Sequence, residues 1–151
     1  MSTFDNFNMN KATVNFYTVN DLPGTSRKGA LKKWIAETLK KEKSKAGIIT
    51  YIFCDDSYLL DLNKRYLDHR TLTDIITFDY STNKQTSGDI FISTERVKEN
   101  AKKFGVTFEN ELHRVMIHGI LHLCGYKDKT TSSKKRMTSK EDFYLHLLHT
   151  K

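Results

Sequence analysis

The stretch from Phe108 to Cys124 constrains this chain more than any other. At helical spacing its apolar residues Leu112, Val115, Met116, Ile117, Ile120, Leu121 and Leu123 surround the helix almost completely. A helix that is apolar all round belongs in an interior. Gly125 follows it and predicts its end, because glycine most readily takes the left-handed conformation that closes a helix.

The rest of the chain supplies what would cover such a helix. Val14 to Val19 alternates apolar and polar residues and reads as a short strand. Thr25 and Ser26 can cap a helix running to about Lys43, with Leu31, Trp34, Ile35 and Leu39 as its buried stripe. Its other face carries Arg27, Lys28, Lys32, Lys33, Lys40, Lys41 and Lys43. Ile48 to Cys54 has the composition of a central strand, and Asp55 to Tyr66 reads as a helix with Leu59 and Leu62 facing inward. Two strands follow, Thr73 to Phe78 and Gly88 to Ser93, joined by a polar loop from Ser81 to Ser87 that suits an antiparallel pair. A helix from Thr94 to Phe104 stops at Gly105, just before the buried helix. After the polar stretch Tyr126 to Met137, Thr138-x-x-Glu141 has the form of a capping box for a last helix ending near His149. The first strand, helix and strand predict a right-handed parallel crossover. The expected fold is α+β: a mixed sheet of about four strands, covered by helices, in a single domain over residues 1–151.

Composition narrows the class. Nine Phe, seven Tyr and one Trp within 38% hydrophobic residues suffice for one core, and a single Pro and seven Gly argue against a long linker. A net charge of +7 favours polyanionic partners, RNA or DNA first; a merely solvated basic surface is the alternative. Cys54 and Cys124 lie in apolar stretches and read as free thiols of a reducing cytosol. The opening MSTFDNFNMN has neither the basic nor the apolar region of a signal peptide, and no apolar run approaches the roughly 20 residues of a membrane span. A cytoplasmic location is expected.

His118 and His122 stand four apart on the buried helix, which places both imidazoles on one face, able to share a metal. Among six histidines such a pair can also arise by accident, or serve the core. The pair continues, however, as HxxxHxxGxxD, and the turn at Gly125 can bring Asp128 back toward the two rings. Two imidazoles and a carboxylate leave a fourth zinc position for water, the open arrangement of a catalytic site. The spacing is that of the metzincin motif with two departures. Gly119 occupies the place of the glutamate base and has no side chain, which disfavours peptidase chemistry; Asp128 replaces a histidine ligand.

The run His118-Gly-Ile-Leu-His-Leu-Cys-Gly-Tyr126 resembles the HGxLHLxGYDH signature of the YbeY-type endoribonucleases, the rRNA maturation factors of bacteria. Leu62-Asn63, Tyr66, Thr73-Asp74, Ile75-Ile76-Thr77-Phe78 and Gly88-Asp89-Ile90-Phe91-Ile92 are similar to further landmarks of that family, in its order. The resemblance is clear from about Ile48 to Tyr126 and looser at both ends. It implies a zincin-like metal-binding helix and a metal-dependent endoribonuclease. Its substrate would be single-stranded RNA, in maturation of the 16S rRNA 3′ end and ribosome quality control, with rRNA and the small ribosomal subunit as partners. By position it makes His118 and His122 ligands of one Zn2+ per chain. Lys127 and Asp128 stand where the family has Asp and His. Leu67 stands where it has Arg, so Arg70, or Arg65, becomes the candidate for the missing charge.

In that reading the catalytic agent is a metal-bound water, helped by a guanidinium near the phosphate. The basic helix face would gather the RNA backbone. Phe78, Tyr80 and Phe91 could stack bases, with core packing the plainer role for Phe78 and Phe91. His113, His146 and His149 read as surface or packing residues, and His69 as a loop residue. Two other functions fit the same residues: a non-catalytic ribosome-assembly factor with a structural metal, and a metallohydrolase with another substrate.

Overall fold

The computed structural model describes residues 12–19 and 26–150. Nine elements follow in order among them: β1 (Thr13–Thr18), α1 (Lys28–Lys41), β2 (Ala46–Cys54), α2 (Asp56–Tyr66), β3 (Ile75–Asp79), β4 (Thr86–Ser93), α3 (Thr94–Phe104), α4 (Phe108–Leu123) and α5 (Thr131–His149). The expected helices and strands are present; most ends shift by a few residues, and the last helix starts well before its expected cap at Thr138. The opening decapeptide and Thr25 lie outside the described residues.

The four strands form one sheet in the order β1-β2-β4-β3. β1 pairs parallel with β2 and β2 parallel with β4, while β3 runs antiparallel to β4. The mixed sheet and the antiparallel pair are therefore as expected. Alternation along β2 and β4 divides the core. Ile49, Tyr51, Phe53, Ile90 and Ile92 face a large cluster with Leu31, Trp34, Ile35 and Leu39 of α1 and with the apolar residues of α4. On the opposite face, Leu59 and Leu62 of α2 pack with Ile76, Phe78 and Phe91. Phe78 and Phe91 thus pack as the plainer reading expected, and Tyr80 is exposed, its hydroxyl donating to Asp89.

α4 is the buried element. Met116, Ile117, Ile120 and Leu121 have no exposure. The Tyr51 hydroxyl, itself buried, donates to the Met116 carbonyl at 2.9 Å and ties the sheet to this helix. A Cβ on Gly119 would lie 3.0 Å from Ile90 Cγ2 and 3.1 Å from Ile75 Cδ1. Glycine at 119 therefore lets α4 sit directly on the sheet.

Two helix starts differ from expectation. Ser26 does not cap α1; the N-cap is Arg27 in the left-handed region (φ 57°), without a side-chain cap. Ser26 instead donates to Glu109. α5 begins seven residues before Thr138, because Thr130 and Ser133 form a reciprocal capping box. Ser served in the third position as well as Glu does, since its hydroxyl reaches the Thr130 N–H at 2.9 Å. Glu141 is thereby released from a capping role and placed in the middle of α5. No helix among the described residues is long and apolar enough to cross a membrane.

Candidate metal centre

α4 ends in a Schellman turn. The Tyr126 N–H donates to the Leu121 carbonyl and the Gly125 N–H to the His122 carbonyl, both at 3.0 Å, with Gly125 at φ 103°. A residue with a side chain rarely adopts that conformation. The chain reverses there and returns Asp128 to the face of α4 that carries both histidines.

Asp128 Oδ2 lies 3.3 Å from Nε2 of His118 and 3.3 Å from Nε2 of His122. The ring centroids are 4.5 Å apart and the rings nearly perpendicular. Two donors bound tetrahedrally to one zinc at about 2.1 Å sit roughly 3.4 Å apart. The separations of Asp128 from each ring match that value. All three ligand atoms lie within 4.8 Å of one another, so the group can hold a metal ion. All three side chains are half-buried, which leaves one side of the cluster open.

The far nitrogens of the two rings decide what the near ones offer. His122 Nδ1 is 3.0 Å from the Tyr126 carbonyl, which can only accept, so Nδ1 carries the hydrogen. His118 Nδ1 donates to Glu141 Oε2 at 2.6 Å. With both rings neutral, each Nε2 lone pair converges on the Asp128 carboxylate, and three such acceptors repel one another unless a positive species, a proton or a metal ion, sits among them. The group could hold a metal ion, with the other nitrogen of each histidine tied back to the protein.

More anionic groups surround His118. Glu141 also takes an ion pair from Arg114 at 2.9 Å, and Arg114 reaches Asp142 at 2.7 Å. Burial alone would lower the His118 pKa, but the hydrogen bond and charge of Glu141, aided by Asp128 and Asp74, outweigh it and raise it. Burial pushes the Asp74 carboxyl up, with Asn100 Nδ2 donating to it at 3.5 Å.

The turn is braced from behind. The Tyr126 hydroxyl donates to Glu42 at 2.6 Å. Tyr144 and Lys140 of α5 donate to the same carboxylate. Burial would raise the Glu42 pKa, but these donors outweigh it and hold it below the usual range. Arg136 lies over the Tyr126 ring, 5.0 Å from its centroid.

Of the residues singled out from the sequence, the structure brings His118, His122 and Asp128 together. It does not tie Arg70 or Arg65 to them. Both arginines are exposed; Arg65 pairs with Asp61 on α2, and Arg70 makes no ion pair among the described residues. Leu67 and His69 are exposed beside them. Glu141, Tyr126 and Glu42 were missed as site residues. Glu141 had a readable signal, a charged residue in the apolar stripe Met137, Tyr144, Leu145 and Leu148.

The family model described as endoribonuclease YbeY matches residues 17–149. The chain belongs to that family. It is 56% identical over 118 residues to a protein of Flavobacterium psychrophilum named endoribonuclease YbeY, covering 78% of this chain and 84% of the relative. It is 46% identical over 141 residues to the protein of that name from Christiangramia forsetii, covering 93% and 98%. Among solved structures, the solution structure of TM1509 from Thermotoga maritima superposes with a TM-score of 0.65 at 28% identity, covering 90% of this chain and 89% of that one. The span matched by the family model, residues 17–149, contains α4 and the turn that carries Asp128, so the candidate metal centre lies inside it.

Proposed function

We propose that this YbeY-family chain is a metal-dependent endoribonuclease acting on single-stranded RNA, with one Zn2+ held by His118, His122 and Asp128. The observation that carries the reading is the convergence of two imidazole Nε2 atoms and one carboxylate, each imidazole tied back through Nδ1. The names of the relatives and the net charge of +7 support RNA as the substrate. In this reading the RNA is rRNA, matured at the 16S 3′ end in the small ribosomal subunit, in the cytoplasm, and the same activity serves ribosome quality control. Residues 1–151 act as a single domain.

When bound, the zinc supplies Lewis acidity toward a phosphoryl oxygen and toward the attacking group. The chain supplies the rest. His118 and His122 are each tied back through Nδ1, to Glu141 and to the Tyr126 carbonyl, which fixes the orientation of the two rings. Asp128 adds a negative charge and completes the set from the turn. Gly119 offers no base beside the ligands, and the lysines on the exposed face of α1 attract the phosphate backbone.

Cleavage of single-stranded RNA that is abolished both by a chelator and by His118→Ala tests this reading. Leu67 favours a second one, a ribosome-assembly factor that keeps the metal without cutting, because no guanidinium stands at that place. Stoichiometric zinc with no cleavage of any single-stranded RNA would select it.

A further inference from the structure

We propose that Glu141 is a positioning residue of the metal centre: it locks His118 in the Nδ1–H tautomer and makes Nε2 the stronger donor of the two histidines. The proposal rests on the reading of His118, His122 and Asp128 as the ligand set.

Glu141 comes from α5, 23 residues beyond His118 in the chain, and is 7% exposed. A buried carboxylate is costly unless paired, and this one is paired at both oxygens. Oε1 accepts from Arg114 Nη1 at 2.9 Å and Oε2 from His118 Nδ1 at 2.6 Å. The second contact has the length of a charge-assisted bond. Arg114 and His118 are one turn apart on α4, so Glu141 spans two successive positions of the helix that carries the ligands. Asp74 and Glu111 are further carboxyl groups nearby, but the carboxylate in contact with Nδ1 is that of Glu141.

The two histidines are therefore held unequally. His122 gives its Nδ1 hydrogen to a neutral carbonyl, His118 to a carboxylate. An anionic acceptor draws the hydrogen further and leaves more electron density on Nε2, which strengthens that donor. The same contact makes metal binding depend on α5 being docked. That docking rests on separate ties: Trp34 Nε1 donates to the Tyr144 carbonyl at 2.7 Å, and Lys140 reaches Glu42 at 3.3 Å.

Glu141→Gln and Glu141→Leu separate the two parts of the claim. Gln keeps the shape and an oxygen acceptor but loses the charge; Leu loses both. Zinc affinity, measured against a competing chelator, falls roughly 10-fold in Glu141→Gln and up to about 100-fold in Glu141→Leu. Nitrogen NMR of the metal-free protein, at a pH where the ring is neutral, shows His118 as a single Nδ1–H tautomer in the wild type and in Glu141→Gln, and as a mixture in Glu141→Leu. A merely structural role leaves that tautomer signature unmoved. If Glu141→Leu does not fold, Glu141→Gln carries the affinity test and the wild-type spectrum carries the tautomer test. Wild-type affinity in a folded Glu141→Gln, or an Nε2–H tautomer in the wild type, overturns the proposal. Zinc retained by His118→Ala together with His122→Ala overturns the ligand reading itself, a different failure, and removes the basis for this one.

Discussion

His122 Nδ1 lies 3.0 Å from the carbonyl oxygen of Tyr126, a residue four positions further on and already past the end of α4. Because Gly125 turns the chain at φ 103°, the segment leaving the helix folds back and serves the helix's own histidine. The turn thus does two jobs: it aims the His122 ring and it delivers Asp128.

That double role makes Gly125 the sensitive glycine for metal binding. Gly125→Val places a β-branched residue at positive φ, at a cost of roughly 1–3 kcal/mol, and moves both Tyr126 and Asp128. Gly119→Ala meets a different obstacle. Helix propensity alone favours alanine, but its Cβ would press on Ile90 and Ile75 at 3.0–3.1 Å. Overpacking of that kind costs about 1–3 kcal/mol. The expected pattern is lowered stability in both variants, with the larger loss of zinc affinity in Gly125→Val. Denaturant titration beside zinc titration reads both quantities; equal zinc affinity in the two would contradict the turn argument.

Zinc content follows the ligands directly. The purified protein is expected to hold about one zinc per chain, and the double change His118→Ala and His122→Ala to hold none. Native mass spectrometry gives the count, and full retention in the double variant sinks the assignment.

Asp128 separates a ligand from a bystander in a loop with Lys127 and Lys129. Asp128→Ala should weaken zinc binding strongly, since two imidazoles leave the set incomplete. Asp128→His should retain zinc, and by removing a negative charge should make it a stronger Lewis acid, moving the activity–pH profile toward acid. A chelator competition on the three proteins decides. Indistinguishable affinities would place the third ligand elsewhere.

Electrostatic gathering of RNA predicts salt sensitivity. Lys32, Lys33, Lys40 and Lys41 are all exposed on α1. Changing the four to Gln should weaken binding of single-stranded RNA and flatten its salt dependence. Affinity that stays constant between low and physiological salt would remove α1 from the RNA path.

A pH effect on stability comes from His113, which is buried edge-on to Trp34. Its Nδ1 is 3.4 Å from His149 Nε2 on α5. Burial, with the charges of His149 and Arg27 outweighing Glu109, lowers its pKa from 6.5 to about 4. The folded protein therefore keeps His113 neutral while the unfolded chain takes up a proton below about pH 6.5. Stability falls as pH drops from there to about 4, by roughly 3 kcal/mol in all. Urea unfolding of the metal-free protein across that window measures the fall. His113→Phe should flatten it, and an unchanged slope in that variant would assign the effect to other groups.

Much of this protein is legible in its residues alone. The all-round apolar pattern of Phe108–Leu123 dictates a buried helix, and i,i+4 geometry dictates that His118 and His122 share a face. Gly125 dictates the turn that returns Asp128. Each of these is local: a few consecutive residues and the fixed pitch of a helix determine it. What the tertiary structure alone decided lies between distant parts of the chain. Glu141 reaches His118 across 23 residues, Glu42 reaches Tyr126 across 84, and Gly119 owes its necessity to Ile90 and Ile75 in the sheet. The start of α5 was itself misplaced, because Ser133 caps as well as a glutamate does. Without that start, Glu141 reads as a cap rather than as a partner of the site. Helical periodicity fixes which residues share a face; only packing fixes what that face meets.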